Sequence, residues 1–296
     1  MGQQSPFFSI IVPTYNRPEQ LAACLQSLAC LDYPRDRFEV IVVDDGGVVR
    51  LDDVVADHNP GIDVTLLYHP HSGPGAARNA GARRAKGEFL AYTGDDCTPA
   101  PDWLRSLASR FATTPDCALG GRILNALPDN QYSTASYLLI DYLYSYYNAS
   151  PNAARFFTPN NLAFPTNRFN AFGGFDEMFV RGAGEDRELC ARWLQHGYRM
   201  IYAEEVVVSH AHVLTFGTFC RQHFNYGRGT WQYRQTQAQK ETGRIILEPL
   251  RFYFNLLRYP LSQSRDGNKV RLTLLMSVAQ AANAAGFFWE KKVSNK

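Results

Sequence analysis

The chain has 296 residues, 45% of them hydrophobic, which is enough for a large domain with an apolar core and too apolar for a disordered chain. Its 30 basic and 28 acidic residues leave a net charge of +2, which argues against a nucleic-acid-binding protein. The six cysteines form no C-x-x-C pair, so no zinc knuckle or thioredoxin-like motif is visible, and scattered single cysteines suit a reducing, cytoplasmic setting.

"FFSIIVPTYN" (7–16) is an apolar run stopped by Pro13, the pattern of a buried strand opening into a loop. "RPEQLAACLQSLACL" (17–31) carries apolar residues at Leu21, Cys24, Leu25 and Leu28 with Pro18 near its start, which predicts a helix. "RFEVIVVDDGG" (37–47) and "ADHNPGIDVTLLYHP" (56–70) each contain a strand. "GPGAARNAGARRAKG" (73–87) predicts a small-residue helix capped by Gly87, and "EFLAYTGDD" (88–96) a fourth strand. Continuous apolar strands alternating with helices predict crossover units, a mostly parallel sheet and an α/β fold. In such sheets ligands bind beyond the C-terminal strand ends, which here carry "PTYNR", "DDGG" and "GDDC".

Past residue 105 the alternation fades. "SYLLIDYLYSYYN" (136–148) is aromatic-rich and helical or irregular. "RFFTPNNLAFPTNRFNAFGGFDEMF" (155–179) mixes a short strand with turns. "GEDRELCARWLQHGYRM" (184–200) predicts a helix stopped by Gly197, and "IYAEEVVVSHAHV" (201–213) another strand. The expected boundary falls near residue 235, with a catalytic domain over 1–235 and a helical extension over 236–296. Within that extension "RFYFNLLRYPL" is basic and aromatic. Ser277, Gln280 and Asn283 make 272–289 a poor membrane span, so these segments are expected to lie on a membrane surface or to pack on the catalytic domain or a second subunit.

Taken singly, each polar cluster has two readings. Asp45 either caps a turn or accepts hydrogen bonds from a ribose or base. Arg78 is either a solvated residue of a packed helix or a bidentate partner for a diphosphate. Asp95 and Asp96 are either a solvated turn or oxygen ligands for Mg²⁺ or Mn²⁺, with strand alternation dividing their roles. His210 and His212, two apart, share one strand face, and either can ligate a metal. Glu185 and Asp186 are either an acidic first helical turn or a base, kept ionised by the helix N-terminus.

The five segments "VPTYNR", "VIVVDD", "GPGAARNAG", "FLAYTGDDCTPAPDWL" and "GGFDE…GEDREL" occur in one order, and over about residues 7–230 this set resembles a family 2 glycosyltransferase of the GT-A, Rossmann-like fold. The resemblance implies transfer of a sugar, with inversion, from a nucleotide-sugar donor of the UDP type. It implies a glycan or lipid-linked acceptor and a divalent cation, Mn²⁺ or Mg²⁺. On the donor side it implies Pro13, Thr14, Tyr15, Arg17, Asp45, Arg78, Asn79, Asp95 and Asn161. Asp96 and His210 match its metal ligands, Asp186 its general base and Glu185 an acceptor contact. Arg228, among aromatics after the last core strand, is expected to close over the diphosphate. The family often reads D-D-D-C where this chain has Gly94-Asp95-Asp96-Cys97, a departure that leaves a non-catalytic nucleotide-sugar-binding module as the alternative. A nucleotidyltransferase would want a glycine-rich loop after the first strand, which "PTYNRPEQ" lacks.

Overall fold

A computed structural model describes residues 5–57, 61–180, 182–242, 244–263 and 268–294. The chain divides into two compact units. One comprises Met1–Leu124, Tyr147–Val180 and Asp186–Ala211, the other Asn125–Tyr146, Arg181–Glu185 and His212–Lys296. The second unit therefore begins well before residue 236 and takes in an earlier helix as well.

The first unit is built on an eight-stranded sheet. Its strands are β1 (Phe8–Thr14), β2 (Phe38–Asp44), β3 (Val64–Tyr68), β4 (Phe89–Tyr92), β5 (Cys97–Pro99), β6 (Ala118–Asn125), β7 (Leu162–Pro165) and β8 (Met200–His210). They lie in the order β3-β2-β1-β4-β7-β6-β8-β5. The first four pair in parallel, as the strand–helix alternation predicts. The parallel pattern stops there, because β4–β7, β6–β7 and β5–β8 are antiparallel. Helices still separate the strands past α4 (Trp103–Thr113), but those connections bring β7 in antiparallel to both β4 and β6, so alternation alone does not fix the pairing direction there.

Period-two burial sorts the strand side chains onto two faces. Phe8, Ile10 and Val12 of β1 and Val40 and Val42 of β2 pack with Leu21, Leu25 and Leu28 of α1 (Pro18–Ala29). The same layer holds Trp103, Leu104, Leu107 and Phe111 of α4. Each such side chain contributes roughly 1.5–3 kcal/mol by burial. On the other face Ile41 and Val43 meet α3 (Pro74–Arg84). Here the small residues have a packing reason: a Cβ on Gly81 would stand 2.6 Å from the Ile11 Cγ2, so α3 lies close against the sheet. The helix ends at Arg84, and Ala85 is already extended, so Gly87 is not its cap.

In the second unit α8 (Phe216–Gln237) starts with a reciprocal Thr215–Thr218 capping box. It packs on α10 (Lys269–Ser294), whose buried residues Leu272, Met276, Ala279, Gly286 and Glu290 form a seam at steps of about three and a half residues. The crossing depends on glycine. A Cβ on Gly227 would lie 1.8 Å from the Asn283 carbonyl oxygen, and one on Gly286 would lie 1.9 Å from that of Phe224. Among the described residues α10 alone is long and apolar enough to cross a membrane, with mean hydropathy 1.2 over its best 18 residues, despite Ser277, Gln280 and Asn283. α5 (Gln131–Tyr147) and α9 (Leu250–Gln263) complete this unit, except that Tyr147 falls in the first.

Candidate active site

The parallel register sets the scene. Thr14 of β1 lies beside Asp44 of β2, and the Asp45 N–H donates to the Thr14 carbonyl over 2.9 Å. β4 ends at Tyr92, level with Ile11, so the segment Thr93–Asp96 runs out beside Thr14. All three motif-bearing strand ends thus share one edge of the sheet.

Asp45 is buried and holds the turn opposite together. Its Oδ1 accepts from the Ser72 N–H at 2.9 Å and its Oδ2 from the Gly73 N–H at 3.0 Å, with the His71 Nδ1 also 3.0 Å from Oδ2. The His71 ring stacks on Tyr15 with centroids 4.6 Å apart, leaving Tyr15 45% exposed at the end of β1. Gly46 makes this possible: its φ is +76°, and a Cβ would stand 2.6 Å from the His71 backbone nitrogen. Pro13 sits within β1 opposite Val43 and bounds the same edge.

Asp95 and Asp96 lie in the turn between β4 and β5, so strand alternation does not divide them. Their partners do. Asp95 accepts from the Thr14 hydroxyl at 2.8 Å and from Arg17 Nη1 at 3.2 Å. Asp96 accepts from the same Arg17 nitrogen at 3.2 Å and sits with its Oδ1 3.2 Å from His210 Nε2. The second contact is a product of register. β5 pairs with β8 so that Cys97 faces His210, and the Ala211 N–H donates to the Asp96 carbonyl at 2.8 Å. Burial, and next the charge of Asp96, push the Asp95 pKa above its usual range; Arg17 and Thr14 oppose this without cancelling it. Two adjacent carboxylates thus share the Arg17 guanidinium at this sheet edge.

Gly94 has a steric account. A Cβ there would stand 2.9 Å from the Asp96 Oδ1 and 3.2 Å from the Cys97 Sγ, so a side chain at this position would displace Asp96. A carboxylate and an imidazole nitrogen 3.2 Å apart also match neighbouring ligands on an octahedral ion, which at bond lengths near 2.1 Å stand about 3 Å apart. His212 follows two residues after His210, as the first residue of the second unit.

Asp186 is in the first turn of α7 (Glu185–Gln195), where its Oδ1 accepts from the Arg187 N–H at 2.8 Å. The helix end does not win here. Although Asp186 keeps some accessible surface, protein packs around it, and this desolvation raises its pKa against the lowering effects of Arg187 and Arg78. The expectation of a depressed pKa is corrected: local capping is outweighed by burial. Arg78 is itself buried, its guanidinium 5.4 Å from the Phe175 ring centroid, and its charge reaches Asp186. Glu185, at the start of the same helix, is buried in the second unit.

Three expected donor contacts have other partners. Asn79 binds the backbone of Phe175, through Nδ2 to the carbonyl and Oδ1 to the N–H, both at 2.9 Å. Asn161 is buried with its amide bonded to Trp103 Nε1 at 2.9 Å and to the carbonyls of Arg122 and Val206. Its neighbour Asn160 points to the site instead, 3.3 Å from His210 Nε2. Arg228 pairs through Nε with Glu290 at 2.6 Å in the seam of α8 and α10. Asn161 thus has both amide atoms engaged inside the protein, and Arg228 its Nε. His71 and Asn160 were missed: His71 lies outside any motif, and Asn160 is one place from the residue the resemblance indicates.

The chain matches the model for glycosyl transferase family 2 over residues 9–175, and that for glycosyl transferase family group 2 over 94–288. It is 26% identical to glycosyltransferase AglE of Haloferax volcanii over 78% of this chain and 75% of that protein. It is 31% identical to the pre-mycofactocin glycosyltransferase of Mycobacterium tuberculosis over 69% of this chain, which spans only 42% of that longer protein. In fold it is similar to the mannosyltransferase PcManGT from Pyrobaculum calidifontis, solved in complex with GDP-Man and Mn²⁺. That likeness has a TM-score of 0.69 at 20% identity and covers 98% of this chain and 89% of that one. With the parallel half-sheet, the acidic turn at its edge and the family match over more than half its length, the chain belongs to glycosyl transferase family 2 and is a glycosyltransferase with the GT-A fold.

Proposed function

We propose that this protein moves a sugar, with inversion, from a nucleoside-diphosphate sugar to the hydroxyl of a glycan or lipid-linked acceptor, at the cytoplasmic face of a membrane. The observation that carries the donor side is the Asp96–His210 contact at the sheet edge. Asp96 and His210 are the residues to hold a divalent cation, Mn²⁺ or Mg²⁺. Bound there, the ion would neutralise charge on the departing diphosphate. Thr14 and Arg17 fix the two aspartates, and the Tyr15–His71 stack offers an aromatic surface for the base.

On the acceptor side Asp186 takes the hydroxyl proton. The acceptor oxygen then bonds to the anomeric carbon while the carbon–oxygen bond to the diphosphate breaks, and its electron pair leaves with the phosphate. A single displacement of this kind inverts the anomeric carbon. The raised pKa of Asp186 moves it toward the working pH, which favours proton uptake by the carboxylate. Buried Arg78, whose charge reaches Asp186, helps keep it ionised until the acceptor arrives.

A thermal-shift panel of UDP, GDP and other nucleoside diphosphates, with and without Mn²⁺, tests this. The family resemblance favours UDP, whereas the solved fold neighbour holds GDP-Man. One nucleotide is expected to raise the melting temperature in a Mn²⁺-dependent way. If none does, the donor-site reading is wrong.

A further inference from the structure

α9 is apolar on two sides. Its inner side is satisfied within the second unit: Leu256 is buried, Phe252 packs on Tyr142 with centroids 5.2 Å apart, and the Tyr259 hydroxyl donates to Asp141 at 2.8 Å. The other side carries Leu250, Phe254, Leu257 and Leu261, spaced four, three and four residues apart, which is one continuous helical stripe. Leu250 is 87% exposed and Phe254 58%. Ile246 and Leu247, just ahead of the helix, extend the exposed apolar surface.

Charge identifies the partner. Arg251 and Arg258 flank the stripe, α9 has no acidic residue, and Arg258 lies 5.1 Å over the Phe254 ring. The nearest acidic residue before the helix, Glu248, is paired with Arg234 at 3.1 Å. A second copy of α9 is a poor occupant, because a two-fold pairing would set arginine against arginine with no carboxylate on the helix between them. A surface both apolar and anionic satisfies the leucines, the phenylalanine and the two arginines together, with the arginine stems lying along the apolar face and their heads at phosphate level.

We infer that the outward face of α9 docks on an anionic membrane surface, with Leu250, Phe254 and Leu261 entering the acyl boundary and Arg251 and Arg258 meeting lipid phosphates. This stands apart from the donor and base assignments, since none of these residues belongs to them. The test is co-sedimentation of the full chain with vesicles of phosphatidylcholine alone and of phosphatidylcholine with phosphatidylglycerol. The mixed vesicles are expected to bind the protein, and added salt to weaken that binding. Leu250→Ser with Phe254→Ser should lower binding to both vesicles by about tenfold or more. Arg251→Glu with Arg258→Glu should remove the preference for phosphatidylglycerol. Because the arginines are not packed in the core, the second pair decides the matter even if the serine pair lowers the melting temperature. Absent binding to mixed vesicles, or binding unchanged by the arginine pair, overturns the inference. So does light scattering that shows a homodimer dispersed by Phe254→Ser, which would make this face a subunit interface.

Discussion

Asn79 grips the Phe175 peptide from both sides, donating from Nδ2 to its carbonyl and accepting through Oδ1 from its N–H, each over 2.9 Å. One side chain on α3 thereby ties down the loop that leads toward the acidic start of α7. Gly174 sits against the same amide, with room for no Cβ: one would lie 2.4 Å from Asn79 Oδ1. Asn79→Asp keeps the acceptor and loses the donor. We expect faster amide exchange across residues 173–180 and transfer activity reduced by at least about tenfold, with nucleotide affinity little changed. Parallel loss of nucleotide binding would restore Asn79 to the donor site.

Asp186→Asn should abolish transfer and stabilise the fold. Burial holds the folded pKa of Asp186 above its unfolded value, so the folded chain binds the extra proton between the two. Stability contributed at this position is therefore lost as pH rises through that interval. The neutral amide removes the penalty. Melting temperature should exceed that of the parent at pH 7, and the gap should close as pH falls below about 4, the ordinary aspartate value. A variant that melts lower at pH 7 would mean that the ion pairs of Asp186 outweigh its desolvation.

Asp96→Ala and His210→Ala should each remove the Mn²⁺-dependent part of nucleotide binding, and chelator should do the same to the parent. A pair of this kind holds an ion jointly, so the two losses should be non-additive: the double variant should bind nucleotide about as weakly as either single one. Additive losses measured by titration calorimetry would show that the two residues act separately.

Gly227→Ala and Gly286→Ala test the α8–α10 crossing. Each new Cβ would meet a backbone carbonyl oxygen within 2 Å, and backbone cannot swing aside as a side chain does. Each change should cost about 3 kcal/mol or more of stability in the second unit, seen as a lowered denaturation midpoint. A neutral effect would mean that the helices separate without penalty.

His223 on α8 is fully buried, and neither ring nitrogen has a hydrogen-bond partner among the described residues. Burial, and next the charge of His212, depress its pKa to about 4. Since the unfolded value is higher, near 6.5, the unfolded chain binds the proton first and stability falls as pH drops from about 6.5 toward 4. His223→Leu should raise the melting temperature and flatten that acid limb, as read by denaturation at a series of pH values.

The sequence made the parallel half of the sheet legible because β1, β2, β3 and β4 are apolar runs separated by helix-forming segments. It also brought "PTYNR", "DDGG" and "GDDC" to one edge, because parallel strands must end together. What it left out came from side-chain partners distant along the chain. Nothing near Asn161 announces Trp103, and nothing near Arg228 announces Glu290. Antiparallel β8 was readable as a strand, but its register against β5, and hence which histidine meets Asp96, depends on pairing that short-range patterns do not encode.

That register also has a consequence in time. Asp96 and His210 are far apart in sequence and join only when β8 seats against β5, whereas β1 through β4 close through shorter connections. Long-range pairings carry a larger loop-closure cost and tend to form late. The proposed cation site would then be among the last features to appear, and a ligand spanning it would bind only chains whose final strand is home. Nucleotide and Mn²⁺, held there as proposed, would favour chains with β8 seated by mass action.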